Sequence, residues 1–441
     1  SLVTIIDGSE WHEELVKNLI YSKRKTSIFS GASTSSFSSD STGDQVTLTE
    51  HTKIIYNILK SKPSPAIVNS SVHWSMYEMK DQFKKLSNNK AVVVTLAGNF
   101  GGTGGKSGVS YVHQAQLDAS EEFDAIVVGS RSEYGGMADY SDDDRELTIL
   151  APSTGNIISA SNYVNSETVL GPDGLLIEKE ILPHKDGDYK KFGGTSAATP
   201  LVSGALGAFM TIGNYKLSGK EAKALLKKTS LRNNGGTLSI GVLNSFKMAK
   251  IAERINEQCR LKDEYSKCFS EQLEKNENYE FTSLKVSKEE FSKNFPSCEA
   301  NSFIVSNCKT QQRLFEKITQ NTFLNPKDVE SWKQLTCIYQ SLGYKKNADY
   351  YRMMEIWYDS APLQQNDLNF LKQKMKDDYL YKTGIIEFLS SMGEKAESLL
   401  VDVLRSNSVK AKADLAKYIW RNDSFADSFL DSLAKDQSVL V

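Results

Sequence analysis

One serine of the chain stands in a sequence context that suits a nucleophile. Ser196 follows Gly193, Gly194 and Thr195, and a run of small apolar residues begins directly after it. This pattern predicts a glycine-rich turn that delivers Ser196 to the first turn of an apolar helix, where unpaired backbone N–H groups face a bound carbonyl group. An isolated Gly-Thr-Ser is also typical of an ordinary turn and helix N-cap. The role of Ser196 therefore depends on the partners that the rest of the chain supplies.

A serine nucleophile needs a general base, usually a histidine that a carboxylate orients. All five histidines precede Ser196, which excludes the order serine, aspartate, histidine. The order aspartate, histidine, serine finds suitable residues: Asp7 ends an apolar segment, and His51 lies in residues 48–59, whose apolar spacing predicts a helix. Asn99 follows a β-branched run, and its side-chain amide is suited to donate to a developing oxyanion. The order histidine, aspartate, serine stays open by position, although the chain has no Gly-Asp-Ser-Gly-Gly segment.

Other chemistries find little support. No Cys-x-x-Cys, His-Glu-x-x-His or mixed Cys/His cluster occurs, which argues against common zinc sites. All five cysteines follow Ser196 and therefore every histidine, which excludes the papain-like order of cysteine before histidine. Lys+Arg 53 balance Asp+Glu 55, so no basic footprint for nucleic acid is present, and no apolar run is long enough to span a membrane. We expect no required cofactor. The triplet Asp142-Asp143-Asp144 invites structural calcium, but its spacing favours a solvated acidic turn.

The elements that must position these residues alternate along residues 1–250. Short β-branched runs at 66–69, 91–97 and 125–128 are typical of buried parallel strands, while 199–211 and 218–228 predict helices, the second with Ser218 as its N-cap. The alternation predicts an α/β fold with a parallel sheet covered on both faces. Two stretches interrupt it. Residues 26–42, of which eleven of seventeen are Ser or Thr, predict a flexible loop, and residues 162–189 predict a β-hairpin with its turn at 171–174.

In this order the segments resemble the subtilases, the subtilisin-like serine peptidases, over residues 1–250. The resemblance lies in the Asp motif at 5–9, the helix that begins at His51, the substrate-binding strand at 67–71, the oxyanion motif at 97–99 and the nucleophile motif at 194–200. It implies a subtilisin-like, parallel-sheet catalytic domain. It also implies a serine endopeptidase that hydrolyses peptide bonds through an acyl-enzyme intermediate.

The resemblance implies a role for each motif residue. Ser196 attacks the peptide carbonyl, His51 transfers the proton, and Asp7 orients the imidazole. Asn99 and the backbone N–H of Ser196 stabilise the oxyanion. Substrate binding falls to two short segments, whose residues are Ser71, Val72, His73, Trp74, Leu96, Ala97 and Gly98. No cofactor is implied, and no metal ligand is assigned.

Two departures from the family pattern bear on activity. Thr52 and Lys53 follow His51 where the family has Gly and Thr, and His73 and Trp74 stand where it has glycines that keep the cleft wall open. Bulky residues there predict narrowed substrate pockets, unless a local insertion moves them away from the cleft. Three alternatives stay open: an active endopeptidase, a catalytically silent scaffold that binds partners, and an enzyme held latent until cleavage or partner binding.

After about residue 252 glycines become rare, and helical patterns run to the end of the chain. The change predicts two domains: a peptidase domain over 1–252 and an all-α, solenoid-like domain over 253–441. Trp332, Leu335, Tyr339, Gly343 and Ala348 resemble one tetratricopeptide repeat, with helices at 328–342 and 346–359. Such a domain either recruits a substrate or a regulatory protein through a helical groove, or only covers and stabilises the peptidase domain.

The cysteines show two short spacings, Cys259 to Cys268 and Cys298 to Cys308. Such pairs are suited to disulfides across helical hairpins in an oxidising compartment, which would leave Cys337 unpaired; buried free thiols are the alternative. Most subtilases act outside the cytoplasm, so we expect a secreted or periplasmic protein. The chain begins at Ser1 without a recognisable signal peptide, and we expect its targeting segment to be missing.

Overall fold

The structure is a computed structural model that describes part of the chain. The described residues are 2–7, 33–38, 66–71, 84–85, 91–99, 124–131, 137–138, 140–142, 147–153, 157–160, 165–170, 176–181, 189–213, 215–231, 240–259, 264–277, 284–295, 308–377, 382–406, 408–419 and 426–435.

The described strands form one large sheet and two small ones. They are β1 (Leu2–Asp7), β2 (Ser33–Ser38), β3 (Ile67–Ser70), β4 (Val92–Leu96), β5 (Ile126–Arg131), β6 (Ile149–Pro152), β7 (Ile157–Ala160), β8 (Asn165–Leu170), β9 (Leu176–Ile181) and β10 (Tyr189–Phe192). The large sheet has the order β2-β1-β3-β4-β5-β6. The pairs β1/β2, β1/β3, β3/β4 and β4/β5 are parallel, whereas β7/β10 and β8/β9 are antiparallel.

The centre of the large sheet is built from the β-branched runs that predict it. Ile67, Val68, Val94 and Ile126 are completely buried in β3, β4 and β5. Strands buried on both faces are typical of a parallel sheet that helices cover. The predicted α/β class of this part of the chain is confirmed.

A strand lies where the serine-rich composition predicts a flexible loop. Ser33–Ser38 form β2, which pairs in parallel with β1 from Leu2↔Ser33 to Asp7↔Ser38. An edge strand needs only backbone N–H and C=O groups to join a ladder, so its side chains do not have to be apolar. The expectation of a loop is therefore wrong for these residues.

The inserted hairpin is confirmed. Strands β8 and β9 pair antiparallel from Asn165↔Ile181 to Leu170↔Leu176. The predicted turn at 171–174 between them lies outside the described residues.

Among the described residues of the α/β part, two long helices follow the strands: α1 (Thr195–Gly213) and α2 (Gly219–Thr229). Among the described helices, α1 is the one that is long and apolar enough to cross a membrane, but 78% of its apolar window is buried inside the protein. The predicted N-cap of α2 is confirmed, because the Ser218 hydroxyl accepts from the Glu221 N–H at 3.3 Å. The Glu221 carboxylate in turn accepts from the Ser218 N–H at 2.8 Å, which completes a capping box.

The rest of the chain is predominantly helical. Its helices are α3 (Ser245–Cys259), α4 (Tyr265–Glu277), α5 (Lys288–Asn294), α6 (Cys308–Leu324), α7 (Val329–Ser341), α8 (Lys345–Tyr358), α9 (Gln365–Asp377), α10 (Lys382–Met392), α11 (Glu397–Arg405), α12 (Val409–Ile419) and α13 (Ala426–Ala434). The predicted all-α character of this region is confirmed.

The pair α7 and α8 forms the predicted helical hairpin. Its core is aromatic: Trp332 is completely buried, and the rings of Tyr339 and Tyr351 stack with centroids 5.0 Å apart. Gly343 turns the chain between the helices with a φ of +75°. The assignment to a tetratricopeptide repeat stays a resemblance.

A disulfide connects two helices of this region, and a further helical cysteine is also bonded. Cys259 at the end of α3 is bonded to Cys268 of α4, with 5.8 Å between their Cα atoms. Cys337 of α7 is also disulfide-bonded. Since Cys259 and Cys268 are joined, only Cys298 and Cys308 can supply its partner. The expectation that Cys298 pairs with Cys308 and leaves Cys337 unpaired is therefore wrong, because Cys337 is itself bonded.

Contacts divide the chain into two compact units. The first comprises residues 1–99, 104–128 and 153–223, and the second comprises 100–103, 129–152 and 224–441. Within the second unit, the Glu387 carboxylate on α10 accepts a 3.2 Å hydrogen bond from the Met137 N–H. The Arg131 guanidinium lies 4.4 Å from the centroid of the Tyr350 ring on α8. The domain boundary near residue 252 stays a prediction.

Candidate active site

Ser196 lies in the first turn of α1, and a glycine shapes the turn before it. Gly194 has a φ of +79°, a conformation that residues with side chains rarely adopt. Its N–H donates to the Ser153 carbonyl at 3.2 Å, and its carbonyl accepts from the N–H groups of Ala197 and Ala198. Ser196 is half-buried, and within the described part of the chain no acceptor lies on its N–H. Hydroxyl and N–H thus share a helix N-terminus, where negative charge is stabilised.

Asn99 lies against the same turn, three residues after the end of β4. Its side-chain oxygen Oδ1 accepts from the Thr195 N–H at 2.8 Å and from the Thr195 hydroxyl at 2.9 Å. The Gly98 N–H donates to Thr195 Oγ1 at 3.3 Å, which ties the Asn99 loop to the helix a third time. Because Oδ1 takes both Thr195 donors, the amide is held in one orientation and its nitrogen Nδ2 is left to donate elsewhere. Asn99 is exposed, so a ligand can reach it.

The space around this amide also requires glycine at position 194. A Cβ atom on Gly194 would lie 3.1 Å from Asn99 Nδ2 and 3.3 Å from Asn99 Oδ1. A side chain there would crowd the amide, which would have to shift by a few tenths of an ångström. The backbone conformation and the limited space therefore both favour glycine at position 194.

Ser71 and Ser196 contact each other through two hydrogen bonds. The Ser196 hydroxyl donates to the Ser71 carbonyl at 3.3 Å, and the Ser71 hydroxyl donates to the Ser196 carbonyl at 3.1 Å. The second bond has a cause in the sequence. Pro200 stands four residues after Ser196 inside α1 and has no N–H, so the Ser196 carbonyl lacks its usual helical donor. The Ser71 hydroxyl satisfies that carbonyl instead.

The sheet register gathers the other predicted site segments at one edge. Ile6 of β1 pairs with Ser70 of β3, and Ser70 pairs with Thr95 of β4. Because these strands are parallel, Asp7 and Ser71, the next residues along, lie at the same carboxyl edge, where α/β proteins place their sites. Leu96, Ala97 and Gly98, which the sequence assigns to substrate binding, are all buried. Their role in substrate binding stays a prediction.

Several predicted site residues lie outside the described residues: His51, Thr52, Lys53, Val72, His73, Trp74, Asp143 and Asp144. The same holds for the predicted helix at 48–59. Of Asp7 the backbone alone is described. The Asp-His-Ser triad, the narrowed pockets and the acidic turn therefore stay predictions. Among the described residues, no group of three His, Cys, Asp or Glu side chains is arranged to hold a metal ion.

The family profile that matches this chain is that of the subtilase family, peptidase S8, and it covers residues 22–249. That is just over half of the chain. The chain belongs to the subtilase family. The matched range contains His51, Asn99 and Ser196, whereas Asp7 precedes it. Subtilases are serine peptidases, so the family implies protein or peptide substrates.

Solved structures with similarity to this subtilase are subtilisin-like proteases. The self-cleaved protease domain of PatA is 17% identical, with a TM-score of 0.41 and coverage of 57% of this chain and 96% of that one. Fervidolysin from Fervidobacterium pennivorans, a keratinolytic enzyme related to subtilisin, is 17% identical. Its TM-score is 0.42, and the match covers 56% of this chain and 42% of fervidolysin. The A-subunit of the AB5 toxin from E. coli is 19% identical, with a TM-score of 0.40 and coverage of 57% and 92%. No curated protein sequence matches this one.

Sequence reasoning missed three residues that structure this subtilase site. Thr195 holds the Asn99 amide, Asn69 donates to the Ser71 hydroxyl, and Ser203 donates to Asn69. A signal was available for the Ser71 bond, because a proline four residues after Ser196 predicts a carbonyl without its helical donor. The partners of Asn69 depend on how α1 packs on β3, and no local pattern indicates that.

Proposed function

We propose that the chain is a serine endopeptidase with Ser196 as nucleophile, His51 as general base and Asp7 as the carboxylate that orients His51. The Ser196 hydroxyl attacks the peptide carbonyl and transfers its proton to His51, which then protonates the leaving amine. An acyl ester on Ser196 results, and water hydrolyses it with His51 again as the base. Membership of a family of serine peptidases supports this proposal.

The observation that carries the proposal is the hydrogen-bonded turn shared by Ser196 and Asn99. Thr195 holds the Asn99 amide by its oxygen, at 2.8 and 2.9 Å, beside the residue that bears the nucleophile. The Asn99 amide nitrogen and the Ser196 N–H are then two donors for the oxyanion of the tetrahedral intermediate. Both are fixed before a substrate arrives, so no reorganisation is required when charge develops.

The substrate pairs with the backbone that follows β3 in this proposal. Ser71 follows that strand at the carboxyl edge of the sheet, where an extended peptide can add by backbone hydrogen bonds. His73 and Trp74 stand where the family has glycines, so we expect narrow pockets along this wall and cleavage of a restricted set of sequences.

A peptide-library cleavage profile tests the proposal. Wild-type protein is expected to cut a subset of the library, and Ser196→Ala, folded to the same extent, is expected to cut nothing. Folded wild-type protein that cuts no peptide would instead support the silent scaffold. Cleavage that begins only after nicking of the chain, or after a partner is added, would support the latent enzyme.

For the helical region, the contacts of the second unit favour a stabilising role. Glu387, which is 3% exposed, accepts from the Met137 N–H, and Arg131 lies over the Tyr350 ring. Helix α8 thereby contacts the end of β5, and α10 contacts the segment that follows it. We infer that the helical region covers and stabilises this segment. Recruitment of a substrate or a regulatory protein stays a prediction.

The disulfides support a compartment outside the cytoplasm. Cys259 is bonded to Cys268, and Cys337 is bonded as well. Structural disulfides form and persist in oxidising environments and are rare in the cytosol. We infer that the protein works in a secreted or periplasmic setting.

A further inference from the structure

A chain of buried polar side chains links the third turn of α1 to its first turn by way of β3. The Ser203 hydroxyl donates to Asn69 Oδ1 at 2.7 Å, and Asn69 Nδ2 donates to Ser71 Oγ at 3.1 Å. The Ser71 hydroxyl then donates to the Ser196 carbonyl at 3.1 Å. Asn69 and Ser203 are 0% exposed, and Ser71 is 3% exposed.

The placement of Asn69 calls for an explanation. Its neighbours Ile67 and Val68 in β3 are apolar and completely buried, as expected in the centre of a parallel sheet. An amide at such a position costs free energy unless it is hydrogen-bonded. Asn69 uses its oxygen towards Ser203 and its nitrogen towards Ser71, so both ends of the amide have partners.

The hydrogen bonds of this series all point the same way: each donor group donates towards Ser196. A serine hydroxyl has one proton, and the lone pair of Ser71 Oγ that faces Asn69 is already occupied by the Asn69 N–H. The Ser71 proton is therefore directed at the Ser196 carbonyl. That carbonyl is available because Pro200, four residues later in α1, has no N–H to give it. Removal of the Asn69 amide nitrogen would free Ser71 to turn its hydroxyl elsewhere.

We propose that Asn69 is a positioning residue that fixes the nucleophile through Ser71. Asn69 touches neither the substrate nor the reacting atoms. It holds α1 at two points two turns apart, Ser203 directly and Ser196 through Ser71, so that the helix cannot shift along β3. The inference rests on the proposed function. Loss of the hydrogen bonds from Asn69 is expected to misplace Ser196 relative to the carbon it attacks, and this lowers kcat.

The test is a double-mutant cycle with kcat and KM as readouts. Asn69→Ala and Ser71→Ala are each expected to lower kcat about tenfold, the size of one net hydrogen bond, with KM changed far less. If Asn69 acts through Ser71, the double variant is no slower than the slower single variant. Ser203→Ala, which leaves Asn69 and Ser71 in place, is a gentler variant and is expected to lower kcat by a smaller factor.

Asn321→Ala is the matched control for stability. Asn321 is also a 0% exposed asparagine held by side-chain hydrogen bonds, to the Asp328 carboxylate, the Ser331 hydroxyl and the Asn325 amide, but it lies in α6. We expect it to lower the melting temperature and leave kcat unchanged. An Asn69→Ala variant that behaves in the same way would overturn the proposal. A double variant about a hundredfold slower than wild type, which indicates independent effects, would overturn it too.

Hydrogen exchange separates this inference from the proposed function. Amides in the first two turns of α1 are expected to exchange faster in Asn69→Ala and in Ser71→Ala, to a similar extent. If folded wild-type protein hydrolyses no peptide, the proposed function fails, and the exchange rates alone test the positioning role of Asn69. Unchanged exchange in both variants would contradict it.

Discussion

The N–H and the hydroxyl of Thr195 both donate to a single atom, Oδ1 of Asn99, at 2.8 and 2.9 Å. Thr195 thus fixes the Asn99 amide. The residue that follows Thr195 is Ser196, so the amide is held beside Ser196. Asn99 then has two separable duties: its oxygen holds the turn, and its nitrogen is the donor that the proposed mechanism needs. A substitution that keeps one and removes the other separates structure from catalysis.

Asn99→Asp is that substitution. The aspartate keeps an acceptor for both Thr195 donors, so the melting temperature of this variant is expected to stay close to that of wild type. It lacks the N–H donor, and kcat is expected to fall at least 10²- to 10³-fold, the size known for loss of one such donor in a subtilisin. Asn99→Ala, which removes both, should lose stability as well as kcat. Wild-type turnover by Asn99→Asp would exclude the amide from the oxyanion hole.

Gly194→Ala tests the turn before Ser196, with Gly343→Ala as its control. The two glycines have similar φ angles, +79° and +75°, so both variants are expected to lose about 1–2 kcal/mol of stability from backbone strain. A Cβ on Gly343 meets no atom within 4 Å, whereas one on Gly194 crowds the Asn99 amide. Peptide hydrolysis is therefore expected to fall for Gly194→Ala alone. Equal activity in the two variants would mean that the Asn99 amide tolerates displacement.

Glu387 tests the stabilising role of the helical region. Glu387→Ala leaves the buried Met137 N–H without this acceptor and is expected to cost about 1–3 kcal/mol of unfolding free energy, while Glu387→Gln, which keeps an oxygen, costs less. Chemical denaturation gives these values, and hydrogen exchange at Met137 should accelerate in the alanine variant. Glu394→Ala, at an exposed position just after the end of α10, is the control and should match wild type. If both alanine variants match wild type, the contact does not stabilise the fold.

The cysteines make a prediction for a tryptic map without reducing agent. One linked pair should join peptide 255–260 to peptide 268–275, and a second should join 334–345 to 294–309, which holds both Cys298 and Cys308. Five cysteines form two bonds, so one cysteine of peptide 294–309, either Cys298 or Cys308, stays free for alkylation. Replacement of Cys259 and Cys268 by alanine is expected to cost about 2–3 kcal/mol of unfolding free energy. A map in which Cys337 is the free thiol would contradict the structure.

Much of the fold follows from local patterns in the sequence. The β-branched runs of β3 to β5, the hairpin β8/β9 and the pair α7/α8 all lie where period and turn residues predict them. The same is true of Ser196 at the start of α1, because a glycine-rich turn before small apolar residues determines that geometry within a few residues.

The failures are long-range. Strand β2 joins the sheet through backbone groups that composition does not reveal, and the bond of Cys337 depends on the packing of α7. Met137 and Glu387 are 250 positions apart, and Asn69 and Ser203 are 134 apart. No period or spacing indicates such pairs, since they arise only when helices pack on a sheet or on each other.

The most direct test of the central claim is covalent labelling with a fluorophosphonate, followed by mass spectrometry of the tryptic peptide 192–216, which holds both Ser196 and Ser203. A phosphonyl group on Ser196, absent from Ser203 and from the Ser196→Ala protein, is the predicted result. Folded wild-type protein that stays unmodified, or that carries the group on another serine, would contradict the assignment of Ser196 as the nucleophile.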